Sequence, residues 1–135
     1  MKDRTDSFAA LEETLIHFEE GLIGFSEYKT FVLKQSRDVA PFRVLQSMER
    51  EDLSFVVIDA SLVVRNYHEL VPIRDWASLG FNRSTQVALA ICSVGIVTGE
   101  TSVNLQAPIL VDIDKMIGRQ VILTDSALSS RHKLS

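Results

Sequence analysis

The chain has 135 residues, 46% of them apolar and 24% charged, which fits one ordinary domain able to bury its own core and excludes a disordered chain. Its net charge of −4 argues against nucleic acid as a direct ligand. The longest apolar runs, Phe55 to Ile58 and Val87 to Val94, fall far short of the roughly 18 residues of a membrane span. No apolar stretch of the secretory type follows the charges in Met1 to Asp6, so the expected location is the cytoplasm. The single cysteine, Cys92, sits inside an apolar run, where it forms no internal disulfide and reads as a small buried hydrophobe.

In chain order, the first segment leans helical. Phe8, Leu11, Leu15 and Phe18 recur at helical spacing through Ala9, Ala10, Glu12 and Glu13, which predicts a helix ending before Gly21. From Thr5 to Tyr28 the acids Asp6, Glu12, Glu13, Glu19, Glu20 and Glu27 meet no Lys or Arg, an acidic face whose ordinary role is solubility. Strand signals follow at Thr30 to Lys34, Phe42 to Gln46 and Leu53 to Ile58, rich in β-branched and aromatic residues and bounded by turns. Ile73 to Leu79 reads as a short helix closed by Gly80. Further strands are expected at Gln86 to Val94, Ser102 to Leu105, Ile109 to Asp112 and Gln120 to Leu123. Pro108 cannot donate to a ladder, so it marks a bulge, edge or kink and the sheet bends near Ala107. The pattern is that of a mainly β sandwich or barrel, a single domain over 1–135 with its ends, before Phe8 and after Leu128, free to fray.

No metal or cofactor is indicated. His17, His68 and His132 lie far apart, and none has a second His or Cys at ligand spacing. No nucleophile elbow is present, and Gly21 and Gly24 match neither a phosphate loop nor a dinucleotide fingerprint. These absences disfavour an enzyme. The rival that remains is a small β-barrel enzyme or ligand-binding domain whose site is assembled from scattered residues such as His17, Asp59 and His132.

Five segments carry a more specific signal. They are Ile16-His17-Phe18-Glu19-Glu20-Gly21-Leu22-Ile23-Gly24-Phe25, with Tyr28 and Phe31 to Leu33 behind it; Pro41-Phe42-Arg43-Val44-Leu45-Gln46-Ser47; Leu53 to Asp59; Asn104-Leu105-Gln106-Ala107-Pro108-Ile109; and Gly118 to Leu123. Their order and spacing resemble the FliW family of flagellar assembly factors, over about Leu15 to His132. The chain departs from the family pattern at the helix-leaning Phe8 to Glu13, at Ala60 where a proline is common, and at Leu128 and Lys133 in the tail.

The resemblance implies a compact, small barrel-like antiparallel fold with one or two short helices, and it turns the first segment from helix to strand. It also implies a regulatory binding protein. Such a protein binds flagellin, and when flagellin is exported it captures the RNA-binding translational regulator CsrA and relieves repression of flagellin synthesis. A chain that binds flagellin as a chaperone without binding CsrA is the variant of this reading.

The residues that fit such a role are Glu19, Glu20 and Glu27 as acidic contacts to a basic partner, and Phe25, Tyr28, Pro41 and Phe42 as anchors if they are exposed. For Phe25 and Phe42, burial in the core is the competing expectation. Gln46 and Asn104 are polar residues within apolar motifs, suited to satisfying backbone groups or to touching a partner. Pro108 completes the set.

Overall fold

A computed structural model describes residues 12–95, 99–124 and 127–134. The segment with helical spacing is a strand: β1 covers Glu12–Phe18 and buries Ile16 and Phe18 while Leu15 is 48% exposed. It lies between β2 (Thr30–Gln35), antiparallel, and β7 (Ile117–Gln120), parallel. Two ladders and two buried side chains outweigh the helical propensity of its residues. Phe8 to Leu11, which carry the rest of the helical pattern, and the expected frayed start at 1–7 lie outside the described residues.

From β2 the chain continues as an antiparallel meander through β3 (Phe42–Ser47) and β4 (Ser54–Asp59). Two short helices follow, α1 (Tyr67–Leu70) and α2 (Ile73–Ala77), then β5 (Gln86–Val94) and β6 (Thr101–Asp112). β5 pairs with both β4 and β6, and β6 pairs with β7, so β1 to β7 close into a seven-stranded barrel. The β1–β7 pair is its one parallel seam. Closure matters because a closed sheet has no long edge left to aggregate.

The barrel has two cores, inside and outside. Ile16, Phe18, Phe31, Leu33, Leu45, Val57, Leu89, Ile109 and Val111 fill the interior. On the outer face, Tyr67 of α1 and Trp76 of α2 cover Ile58, Ala88, Ala90 and Leu110. β5 is therefore buried on both faces, Leu89 inward and its alanine neighbours outward, which explains its unbroken apolar run. The Tyr67 hydroxyl donates to the Leu105 carbonyl, and the Trp76 indole donates to the His68 carbonyl at 3.1 Å.

Several boundaries differ from the sequence expectations. The expected helix at Ile73 to Leu79 is α2, and Gly80 stops it with φ +142°. α1 was not foreseen, because four residues are too few to show a period. The two expected strand pieces around Pro108 are one strand, β6, with a bulge between them: Leu89 faces Ile109 but Ile91 faces Asn104, so β6 spends five steps where β5 spends two. The strand expected at Gln120 to Leu123 is β7, which covers Ile117–Gln120 instead. Val121 and Leu123 instead join the outer core, while their N–H groups donate to the carbonyls of Pro108 at 3.1 Å and Gln106 at 2.7 Å. The expected frayed tail after Leu128 returns to β6 as β8 (His132–Lys133), paired with Val103 and Ser102.

β7 starts early because of Asp112. Its buried carboxylate accepts from the N–H groups of Asp114 and Lys115, both at 3.1 Å, from the Thr85 hydroxyl at 3.0 Å and from the Gln86 amide at 3.5 Å. Backbone N–H bonds of this kind set a tight turn. Burial alone would raise the Asp112 carboxyl, but the donors on Lys115, Thr85, Gln86 and Asp114 outweigh it and hold it below the usual carboxylate range.

The parallel seam closes on a glycine. A Cβ built on Gly118 would lie 2.5 Å from the ring of Phe18 and 3.0 Å from Ile16, and both neighbours are fully buried. Gly118→Ala is expected to destabilise the fold by about 1–3 kcal/mol, the usual cost of overpacking, measured as a lowered urea midpoint; an unchanged midpoint would refute the tight seam. Because the Asp112 pKa is depressed on folding, its carboxylate stabilises the native state above the unfolded value and loses that contribution as pH falls through the folded one. The stability gap between the wild type and Asp112→Asn should therefore narrow below about pH 4, as followed by denaturant titrations across pH; a gap independent of pH would contradict the assignment.

Candidate partner-binding surfaces

The turn after β1 caps one end of the barrel. Gly21 and Gly24 adopt φ +67° and +87°, and a Cβ on Gly21 would strike Ser26 Cα at 2.6 Å, so the first position demands glycine on both counts. Three reverse contacts follow: Gly21 N–H to Phe18 O at 3.0 Å, Phe25 N–H to Leu22 O at 2.8 Å and Tyr28 N–H to Phe25 O at 3.1 Å. Leu22 plugs the interior, and Phe25 packs edge-on against Phe55 with centroids 5.6 Å apart. Exposed on this turn are Glu19, Glu20 and Glu27 with Gly24, Ser26 and the 53% exposed Ile23, so acidic and apolar side chains share one cap.

Phe25 and Tyr28 are half-buried. The Arg50 guanidinium stands 6.0 Å over the Tyr28 ring and pairs with Asp52 at 2.8 Å. Glu49 accepts from the N–H groups of Lys29 and Thr30, at 2.6 and 2.9 Å, which holds its carboxyl below the ordinary value. Glu20 and Arg119 approach to 3.6 Å across the seam, an exposed pair of little energetic weight.

Pro41 and Phe42 lie at the other end. β2 and β3 pair Phe31 with Ser47 near the cap and Gln35 with Arg43 at the far end, where Phe42 begins β3. There Pro41 is exposed after a cis peptide bond, and Phe42 is half-buried against the outer core. Both line a groove of about 560 Å³ together with Arg37, Arg43, Asp59 and Leu62. The aromatic candidates therefore fall into two separate regions.

Gln46 and Asn104 are committed to the backbone. The Gln46 amide donates to the carbonyls of Ser47, Glu51 and Leu53 at 3.2, 3.0 and 3.1 Å, clamping the β3–β4 turn. The Asn104 carbonyl accepts from Gln106 and Ala107 N–H at 2.9 and 3.2 Å, satisfying the β6 bulge. Pro108 is buried beside it. Gln120 escaped the sequence reading: its Oε1 accepts from Ile23 N–H at 2.9 Å while its Nε2 donates to Ala107 O at 3.0 Å, tying the cap to the bulge. Its position directly before the apolar run Val121-Ile122-Leu123 was the available signal.

His17, Asp59 and His132 are not assembled into one site. His17 pairs with Thr30 and Ile117, Asp59 pairs with Leu89 and caps Ser61, and His132 pairs with Val103. Among the described residues no group of three or more His, Cys, Asp or Glu could hold a metal ion. Burial pushes the Cys92 thiol up to about 11. On the helical cap, His68 stacks on Trp76 at 4.0 Å and accepts from Arg83 at 2.7 Å; burial, then the Arg83 charge, hold its pKa below the usual value. No helix among the described residues is long and apolar enough to cross a membrane.

The sequence and the fold both have named relatives. The family model described as FliW protein matches residues 2–134. A flagellar assembly factor FliW of Leptospira interrogans is 37% identical over 125 residues, 91% of this chain and 83% of that protein. One from a Geobacillus strain is 36% identical over 124 residues, 91% and 85% of the two chains, and one from Geotalea uraniireducens is 32% identical over 136 residues, 98% and 83%. The crystal structure of a flagellar assembly factor FliW superposes with a TM-score of 0.77 at 32% identity, covering 88% of this chain and 84% of that one. With a family model matched over residues 2–134 and relatives 32–37% identical across more than four-fifths of their length, the chain belongs to the FliW family.

Proposed function

We propose that this protein is a flagellar assembly factor that works in the cytoplasm by partner switching, binding flagellin and, once flagellin leaves, binding and antagonising the translational regulator CsrA. It acts by occupancy and needs no catalytic site or cofactor. The observation that carries the CsrA half of the reading is the cap: Glu19, Glu20 and Glu27 are exposed with Ile23 on a turn pinned from behind by Leu22, Phe25 and Gln120. A preorganised acidic rim steers a basic RNA-binding protein electrostatically, and an apolar tip gives it something to bury. The net charge of −4 also keeps the protein itself off RNA.

Within this reading the exposed Glu19, Glu20 and Glu27 are the partner contacts, and Ile23 joins them. Phe25 and Tyr28 support the cap from beneath, and Gln46, Asn104 and Pro108 shape the backbone. Pro41 and Phe42 belong to a different groove and so to a different contact.

Isothermal titration against CsrA from the same bacterium, repeated after saturation with flagellin, tests the proposal. Saturable CsrA binding that flagellin abolishes is the expected result. Replacing Glu19, Glu20 and Glu27 together by Gln should slow CsrA association about tenfold at low salt, with the difference shrinking as salt screens the rim. Flagellin binding without CsrA binding would make the chain a flagellin chaperone only, and binding of neither would refute the proposal.

A further inference from the structure

The helical cap is fastened by a contact that only one protonation state of His68 allows. The His68 ring lies on the face of Trp76, with centroids 4.0 Å and planes 12° apart, and its Nδ1 is 2.7 Å from the Arg83 guanidinium. A guanidinium only donates, so Nδ1 is the accepting nitrogen and the ring is neutral, its proton on Nε2. Arg83 opens the turn Arg83–Thr85 that leads into β5, and its guanidinium also stands 5.4 Å over the Trp76 ring. One arginine thus ties α1 and α2 to the strand they cover. A proton on Nδ1 removes the acceptor and sets two cations against each other at that distance.

The ring has a second place to go. His68 also lines a cavity of about 100 Å³, together with Asp59, Ser61, Tyr67 and Gln86. Asp59, at the end of β4, is the carboxylate of that cavity, and the two bonds it accepts from Ser61 both fall on Oδ1. The backbone need not move, because the Trp76 indole holds the His68 carbonyl at 3.1 Å and the ring can swing about its own side-chain bonds. The groups facing the ring divide by element. Burial favours the neutral form, as does Arg83; the Gln86 backbone on β5, Asp59 on β4 and Glu69 on α1 itself favour the imidazolium, and α2 presents the uncharged Trp76 ring.

We infer that His68 is a two-position switch: neutral, it lies on Trp76 and accepts from Arg83; protonated, it turns into the cavity toward Asp59 and releases Arg83, loosening the helical cap over β5. Histidine is the side chain whose ordinary range allows such a change near neutral pH. Because folding lowers the proton affinity of His68, the neutral contact stabilises the native state fully above about pH 6.5, and that contribution is lost as the pH falls through the folded value. The device is separate from the acidic cap and stands whichever partners the protein binds.

NMR of the full chain, following the His68 ring protons from about pH 8 to pH 5, tests it. Near neutrality those protons are expected to carry the upfield shift of a ring stacked on an indole, with nuclear Overhauser contacts to Trp76, and both should be lost as the ring titrates. Amides of α1 and α2 should exchange faster in step with that titration. Arg83→Gln should raise the His68 midpoint, since it removes the charge that opposes the imidazolium, and Asp59→Asn should lower it, since it removes the charge that receives it. Arg83 is exposed, and Asn keeps an oxygen for the Ser61 bonds, so both variants should fold. A wild-type ring that keeps its stacked shift down to about pH 5, titrating or not, would overturn the switch whatever the variants do. A midpoint that either substitution leaves in place would overturn it as well.

Discussion

Closure of this barrel depends on one close approach. The ring of Phe18 crosses the backbone of Gly118 where β1 and β7 run parallel, and that seam joins the first strand of the meander to the last strand of the ring. A parallel pair cannot be made by a hairpin and must be brought together by everything between its two strands. Here that is most of the chain, from Phe18 to Ile117. The interior core, including Leu22 at the cap, is complete only when the seam is shut, so local elements and global closure stabilise one another.

The second organising feature is the supply of hydrogen bonds wherever the barrel departs from regular pairing. Gln46 stands in at the β3–β4 turn, Asn104 at the β6 bulge, Asp112 at the β6–β7 turn and Gln120 between cap and bulge. Each replaces ladder bonds that the geometry withholds, as buried backbone groups require. Side chains placed this way are costly to change, and this separates them from the exposed glutamates of the cap, which make few contacts within the chain. Polar residues in apolar motifs here shape the backbone, while the exposed face of the cap carries charges that look ordinary in the sequence.

Much of the fold was legible in the residues. β2, β3, β4 and β5 fall within a residue or so of their apolar runs, since alternation and β-branching report a strand directly. β1 was not legible from local pattern, because Phe8, Leu11, Leu15 and Phe18 suit a helix and only pairing on both edges decides otherwise; the family resemblance supplied what propensity lacked. β7 was displaced because Val121 and Leu123 are as apolar as any strand, yet they serve the outer core, a destination no period can express. The acidic residues of the cap could be named but not grouped, and Pro41 and Phe42 could not be separated from them without the antiparallel path of β2 and β3. Ile23 and Gln120 lay unremarked for the same reason: their importance comes from what stands beside them in space.

Gln120 uses both ends of one amide, accepting from Ile23 in the cap and donating to Ala107 in the bulge. Two irregular segments, far apart in sequence, therefore share one side chain as a connector. A shift of the Gln120 amide to follow one segment must lengthen its bond to the other, so cap and bulge are coupled through that one side chain. A small barrel can in this way behave as a lever whose fulcrum is one side chain.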